Sequence, residues 1–257
     1  MANKVEAFVA RLREVHEQTR MVGWDFSKLS DRMAADEPWW DFEADCRAAL
    51  AGAQRILDLG TGGGERLLKL LGDTDAPDKI ITATEGWAPN VEVARTALAP
   101  YGIEVKNYDP DGGQRLPLPD ESIDLVMARH EAINAAEVAR VLAPGGRLLT
   151  QQVDGRDAEE IHAWFDEPFL YPNVTSRDYA HALEAAGLSV DVTDDWRGTM
   201  EYADAKALVS YLALVPWDAP NFTVEAHAPR LLELEARRPI QVTQRRFRLY
   251  ATKDAQH

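Results

Sequence analysis

Residues 58–65 read Asp58-Leu59-Gly60-Thr61-Gly62-Gly63-Gly64-Glu65, at the point where an apolar run, Arg55 to Leu59, gives way to a leucine-faced stretch ending at Leu71. Glycines at alternate positions let a ligand approach bare backbone. A dinucleotide fingerprint, GxGxxG, would need its third glycine at position 65, where Glu65 stands, and an acid at position 58 has no part in holding a pyrophosphate. Acids just ahead of the turn and inside it suit a cationic ligand instead. Further along, His130 and Glu131 form the best candidate acid–base pair. The ordinary pKa of histidine lies near neutrality, so His130 reads as a general base that Glu131 could orient. The same ring could instead cap a helix or contact the ligand's backbone cradle.

The surrounding elements must position these groups. From residue 54 the pattern is strand, glycine turn, helix, repeated. Strands are predicted at Arg55–Leu59, Lys79–Thr84, Glu104–Tyr108, Ser122–Ala128, Gly146–Val153 and Leu188–Thr193, with helices at Glu65–Leu71, Val91–Ala99, Glu137–Leu142 and up to Gly187. The fold class expected is α/β, a doubly wound Rossmann-like, mostly parallel seven-stranded sheet whose last strand, within 240–252, is antiparallel. In that strand the apolar positions change parity, from Ile240 and Val242 to Phe247 and Leu249, which calls for a bulge or turn near Gln244-Arg245. In such sheets the ligand lies beyond the C-terminal strand ends, which selects Arg129-His130-Glu131 and Gln151-Gln152.

Two regions stand outside the alternation. Residues 1–52 form a helical and aromatic cap, with one helix over residues 3–17 and another starting at the N-cap Asp41. Residues 201–238 form a helical insertion; the core spans 53–200 and residues 239–257 complete the sheet. Trp24, Phe26 and Trp39 of the cap, with Gln152 and with Tyr211 and Trp217 of the insertion, are candidate walls for an apolar or cyclic ligand, core packing being the alternative for some of these rings.

The turn resembles motif I of the class I S-adenosylmethionine-dependent methyltransferases, matched here by Asp58, Gly60, Gly62 and Gly64. Residues Arg115 to Val126 and Glu137 to Arg147 resemble segments of the type 11, or quinone-biosynthesis C-methyltransferase, group. The resemblance implies S-adenosylmethionine as cofactor and S-adenosylhomocysteine as product, held by Asp58, Gly60, Thr61, Gly62 and Gly64, with Glu85 and Gly86 at the ribose and Arg129 nearby. It places an acid at the adenine amino group. Gly112 occupies the usual position, so Asp109 and Asp111 are both candidates and a turn-forming aspartate is an equal alternative. The implied activity is transfer of a methyl group to a small-molecule acceptor by in-line displacement, with an RNA or protein methyltransferase or a noncatalytic S-adenosylmethionine-binding module as the other readings.

Composition narrows the field. With 28 basic and 43 acidic residues in 257, a formal charge of −15, long nucleic acid is disfavoured as a partner, since phosphate binding draws on Lys and Arg. The cluster Arg237, Arg238, Arg245, Arg246 and Arg248 is expected to face solvent on a hairpin, with an anion grip as the alternative. No apolar run approaches bilayer length and the N-terminus lacks a signal peptide's apolar centre, so a cytoplasmic chain without membrane contact is expected. Cys46 stands alone and the six histidines show no ligand spacing, so no metal is expected. The sequence points to no oligomeric state.

Overall fold

The computed structural model describes residues 2–21, 26–72 and 79–255. In chain order the elements are α1 (Ala2–Gln18), β1 (Met33–Ala35), α2 (Phe42–Ala51), β2 (Arg55–Leu59), α3 (Glu65–Leu71), β3 (Ile80–Glu85) and α4 (Ala88–Leu98). There follow β4 (Glu104–Asn107), β5 (Ile123–Arg129), α5 (Ala135–Val141), β6 (Leu142–Val153), α6 (Glu159–Phe165) and α7 (Ser176–Ala185). The chain closes with β7 (Leu188–Tyr202), α8 (Ala205–Leu214), α9 (Ala228–Ala236) and β8 (Ile240–Lys253). They sort into two compact units, one of Met1–Pro38, Gly155–Asn173 and Trp196–Arg245, the other of Trp39–Asp154, Val174–Asp195 and Arg246–His257.

The second unit is built on parallel pairs. β2 runs parallel to β3 and to β5, β3 to β4, and β5 to β6; β8 then pairs antiparallel with β6 through Arg147↔Thr252 to Val153↔Arg246. The sheet order is β1-β7-β8-β6-β5-β2-β3-β4, so the expected α/β sheet with an antiparallel last strand is found, with β1 as an eighth strand. The parallel strands read as near-continuous apolar runs because both faces are covered: Ile56, Leu57 and Leu59 of β2 are at most 1% exposed. Their core continues through Val126, Ala128, Leu148, Leu183 and Phe247.

The first unit has its own core, in which Leu12 of α1, Tyr202 of β7, Leu208 and Leu212 of α8, Leu231 of α9 and Ile161 of α6 pack together. Asp204 caps α8 by accepting from Ala207 N–H at 3.0 Å, which satisfies a donor the helix start would leave bare. β1 pairs antiparallel with the end of β7, Met33 facing Tyr202.

Three sequence expectations differ from what is observed. Residues 39–52, read with the cap, fall in the second unit, because α2 and the tryptophans before it are tied there: Trp40 to Gln151, and Asp45 to Arg248 and Tyr250. β8 runs on through Gln244-Arg245, so no turn interrupts the strand at the parity change, which falls where the chain passes from one unit to the other, between Arg245 and Arg246. Arg248 does not face solvent. Its side chain is 13% exposed and paired with Asp45 and Asp194, because β8 lies inside the sheet and not on a free hairpin.

Candidate functional site

At the C-terminal end of β2 the chain turns through Gly60, Gly62 and Gly64 at φ of +72°, +63° and +91°, a region that favours glycine. Space enforces the same choice. A methyl at Gly64 would lie 2.9 Å from Leu98 Cγ on α4, and one at Gly60 would collide with the Glu131 side chain. The turn is pinned to β3, where Thr61 N–H donates to Thr84 O at 2.8 Å and Gly60 N–H to Thr84 Oγ1 at 3.2 Å.

Glu85 closes β3 and is only 3% exposed. One of its carboxylate oxygens accepts from Gly62 N–H at 2.7 Å and the other from Trp87 N–H at 2.8 Å. The carboxylate, with about four acceptor sites, keeps room for a further donor. Burial raises its pKa, and the N–H groups of Trp87, Gly62 and Gly86 pull it back. Gly86 is held bare by its neighbours, since a methyl there would stand 2.7 Å from Tyr108 O. Asp58 is pushed up to about 6 by burial, an effect offset in part by Thr61 and Arg66.

Two turns frame this corner. Asp109 and Asp111 are both exposed, and Asp109 Oδ1 accepts from Asp111 N–H at 3.0 Å, which makes Asp109 a turn former as well as an acid facing the site. Asn90, in the first turn of α4, is fully buried, and neither atom of its amide has a partner among the described residues. Nothing in the sequence pattern singles it out. An unsatisfied buried amide costs about 1–3 kcal/mol per group, so this one marks a place where a polar ligand would be welcome.

At the end of β5 stand Arg129, His130 and Glu131. His130 has φ of +58°, rare outside glycine, and its backbone N–H donates to Gln151 O at 2.8 Å. The residue is exposed, and desolvation by the protein around it, then the charges of Arg129, Arg246 and Arg66, hold its pKa well below the ordinary value. Glu131 lies over the glycine turn and is pushed up to about 8 by burial, then by the charges of Glu85, Asp111 and Asp109. Gln152 is committed, its Nε2 donating to Glu131 O at 2.8 Å and Thr150 Oγ1 at 2.7 Å.

The candidate aromatic walls fall in different units. Trp39, 67% exposed, belongs to the second, with Arg248 stacked 4.9 Å from its ring centre. Phe26 packs against the first unit's core, and Tyr211 is buried in it with its hydroxyl donating to Asp218 at 2.8 Å. Trp217 is half-exposed in that same unit; Trp24 lies outside the described residues. Among the described residues no group of three His, Cys, Asp or Glu could hold a metal ion, and no helix is long and apolar enough to cross a membrane.

Comparison with known proteins bears on this same stretch of the chain. Residues 57–150 match the Methyltransf_11 methyltransferase domain. The matched segment contains every residue from Asp58 to Glu131 discussed above. Over 103 residues the chain is 36% identical to a demethylmenaquinone methyltransferase of Thermus thermophilus, a match covering 37% of this chain and 46% of that protein. It is 28% identical over 147 residues to the uncharacterized methyltransferase YcgJ of Bacillus subtilis, covering 56% and 54%. The chain thus spans about half the length of these curated relatives. The crystal structure of YcgJ superposes on 84% of this chain and 99% of its own with a TM-score of 0.57 at 18% identity, which shows a common fold.

Proposed function

We propose that this chain is a class I S-adenosylmethionine-dependent methyltransferase acting on a small-molecule acceptor. The observation that carries the reading is the Glu85 carboxylate, buried at the strand end beside the glycine turn and fixed by Gly62 and Trp87 N–H groups, one on each oxygen, with acceptor capacity to spare. That is a ready-made acceptor for two vicinal hydroxyls, and charge-assisted bonds of this kind contribute about 1.5–3 kcal/mol each. Gly60, Gly62 and Gly64 would bring backbone against the amino-acid portion of the cofactor, with Asp58 and Thr61 beside it and Arg129 at the neighbouring strand end. Asp109 or Asp111 would meet the adenine amino group, and Asn90 supplies an amide at the same corner. When bound, S-adenosylmethionine supplies a methyl group on a positively charged sulfur; the acidic set Asp58, Glu85, Glu131, Asp109 and Asp111 favours that charge.

Methyl transfer needs alignment and exclusion of water more than it needs proton chemistry. Relatives named for quinone methylation, as in Thermus thermophilus, and the net charge of −15 support a small acceptor over RNA. Calorimetric titration tests the reading. S-adenosylhomocysteine should bind and NAD should not, and Gly62→Val should abolish binding with the fold intact. Binding of NAD, or unaltered affinity in Gly62→Val, would overturn it.

A further inference from the structure

His130 is tied to two residues far from it in sequence. An indole nitrogen can only donate, and Trp40 Nε1–H donates to Gln151 Oε1 at 2.7 Å. That bond orients the Gln151 amide: its oxygen faces Trp40, so its NH2 faces the histidine, with Nε2 at 3.3 Å from His130 Nε2. An amide NH2 has no lone pair to offer, so His130 Nε2 must be the acceptor and the ring proton must sit on Nδ1. The three groups are set by the sheet itself. Gln151 is paired in register with Arg129 on one side and Arg248 on the other, and Arg248 lies 5.2 Å from the centre of the Trp40 ring, holding the indole in place. Among the described residues none accepts from Nδ1.

We infer that Trp40 and Gln151 are positioning residues that lock His130 in its neutral Nδ1–H form, so that it meets the acceptor as a hydrogen-bond donor to an ionised oxygen, a phenolate or enolate, and not as a base. This inference rests on the methyltransferase reading for its acceptor, while the lock itself stands on the hydrogen bonds. The charged groups facing the ring agree with it. Arg129 on β5, Arg246 on β8 and Arg66 on α3 each disfavour a second proton on the imidazole, and the same three guanidinium groups favour an anionic oxygen over a neutral one. Glu131 follows it in the chain. An ionised oxygen brings its own electron pair to the methyl carbon while the carbon–sulfur pair leaves with sulfur, so the charges cancel and no proton needs a receiver. A base at His130 is then unnecessary, and the left-handed turn that carries the residue has a role in aiming a donor.

Nitrogen-15 NMR of histidine-labelled protein reads the tautomer directly. The expected result is a protonated Nδ1 and an unprotonated Nε2 at His130, unchanged between about pH 6 and about pH 8. Trp40→Phe keeps the ring and removes the N–H, freeing the amide to rotate, and should give mixed tautomers. Gln151→Glu, whose carboxylate accepts from both neighbours, should move the proton to Nε2 and raise the histidine's pKa. Protonation at Nε2 in the unaltered protein, or titration with the ordinary pKa near 6.5, would overturn the lock. With S-adenosylhomocysteine present, 4-nitrophenolate should shift the Nδ1 signal and 4-nitroanisole should not; equal shifts, or none with either, would overturn the ionised-oxygen class. Calorimetry on the same sample separates the two readings: an Nδ1–H tautomer in a protein that ignores S-adenosylhomocysteine leaves the lock and removes the methyltransferase, and the reverse result does the opposite.

Discussion

Glu85 and Glu131 are the same residue type at the ends of two parallel strands, β3 and β5, and both lie against the glycine turn. Their surroundings make them different acids. Burial raises the pKa of each, but Glu85 receives backbone N–H groups on both oxygens, whereas Glu131 faces Glu85, Asp111 and Asp109, with the N–H of Ala132 as an opposing influence. One has its charge met by backbone donors; the other, pushed up to about 8, holds its proton at neutral pH until a positive charge arrives. Donor placement, not residue identity, decides which glutamate anchors and which responds.

The largest expected effect falls on the anchor. Glu85→Ala should weaken S-adenosylhomocysteine at least tenfold by calorimetry, about 1.4 kcal/mol or more, and normal binding would dissolve the contrast at its first term. Next comes the space around it. Gly86→Ala sets a methyl 2.7 Å from Tyr108 O and 3.0 Å from Asp109 Cα, a clash with backbone that should cost about 1–3 kcal/mol of stability, read as a fall in the urea midpoint.

The responsive glutamate predicts a pH dependence whose sign follows from linkage. Its folded pKa of about 8 exceeds the unfolded value of about 4.3, so between those pH values the native state holds a proton the unfolded state has released, and stability falls as pH rises. Glu131→Gln removes that loss. Its Tm should exceed the parent's at pH 8 and converge with it near pH 4, by about 2–4 °C for each kcal/mol; a gain independent of pH would mean the carboxyl is unperturbed. The smallest effect is the most specific. S-adenosylmethionine, charged at sulfur, should release up to about one proton on binding near pH 7, more than S-adenosylhomocysteine, in calorimetry across buffers of different ionisation heat, and the difference should vanish in Glu131→Gln.

The anchor was legible in the sequence and the responder only as a position. Asp58, the three glycines and Glu85 are close in the chain or one strand apart, so a resemblance to a short known motif reaches them. The Trp40–Gln151–His130 chain joins residues 111 and 21 positions apart; it exists because register sets Gln151 opposite Arg129 and Arg248, which apolar periodicity does not encode. Gln152 attracted the sequence reading, but strand alternation turns it to the other face, where Thr150 and the Glu131 carbonyl use its amide. The strand β1 was missed because three residues, Met33-Ala34-Ala35, carry no alternation of their own. In α6, seven residues long, the apolar face of Ile161 and Phe165 is too brief to register as a helix.

The interleaving of the two units governs how the protein can be made. The chain passes between them at residues 38/39, 154/155, 173/174, 195/196 and 245/246. Phe247 and Leu249 belong to the second unit's core, and Ile240 and Val242 to that of the first, so each core waits for residues in the last strand. On the ribosome neither unit can close before β8 emerges, and until then the parallel strands β2 to β5 remain without their final covering. Folding of one unit ahead of the other is therefore closed to this chain; both units complete together, once β8 is in place.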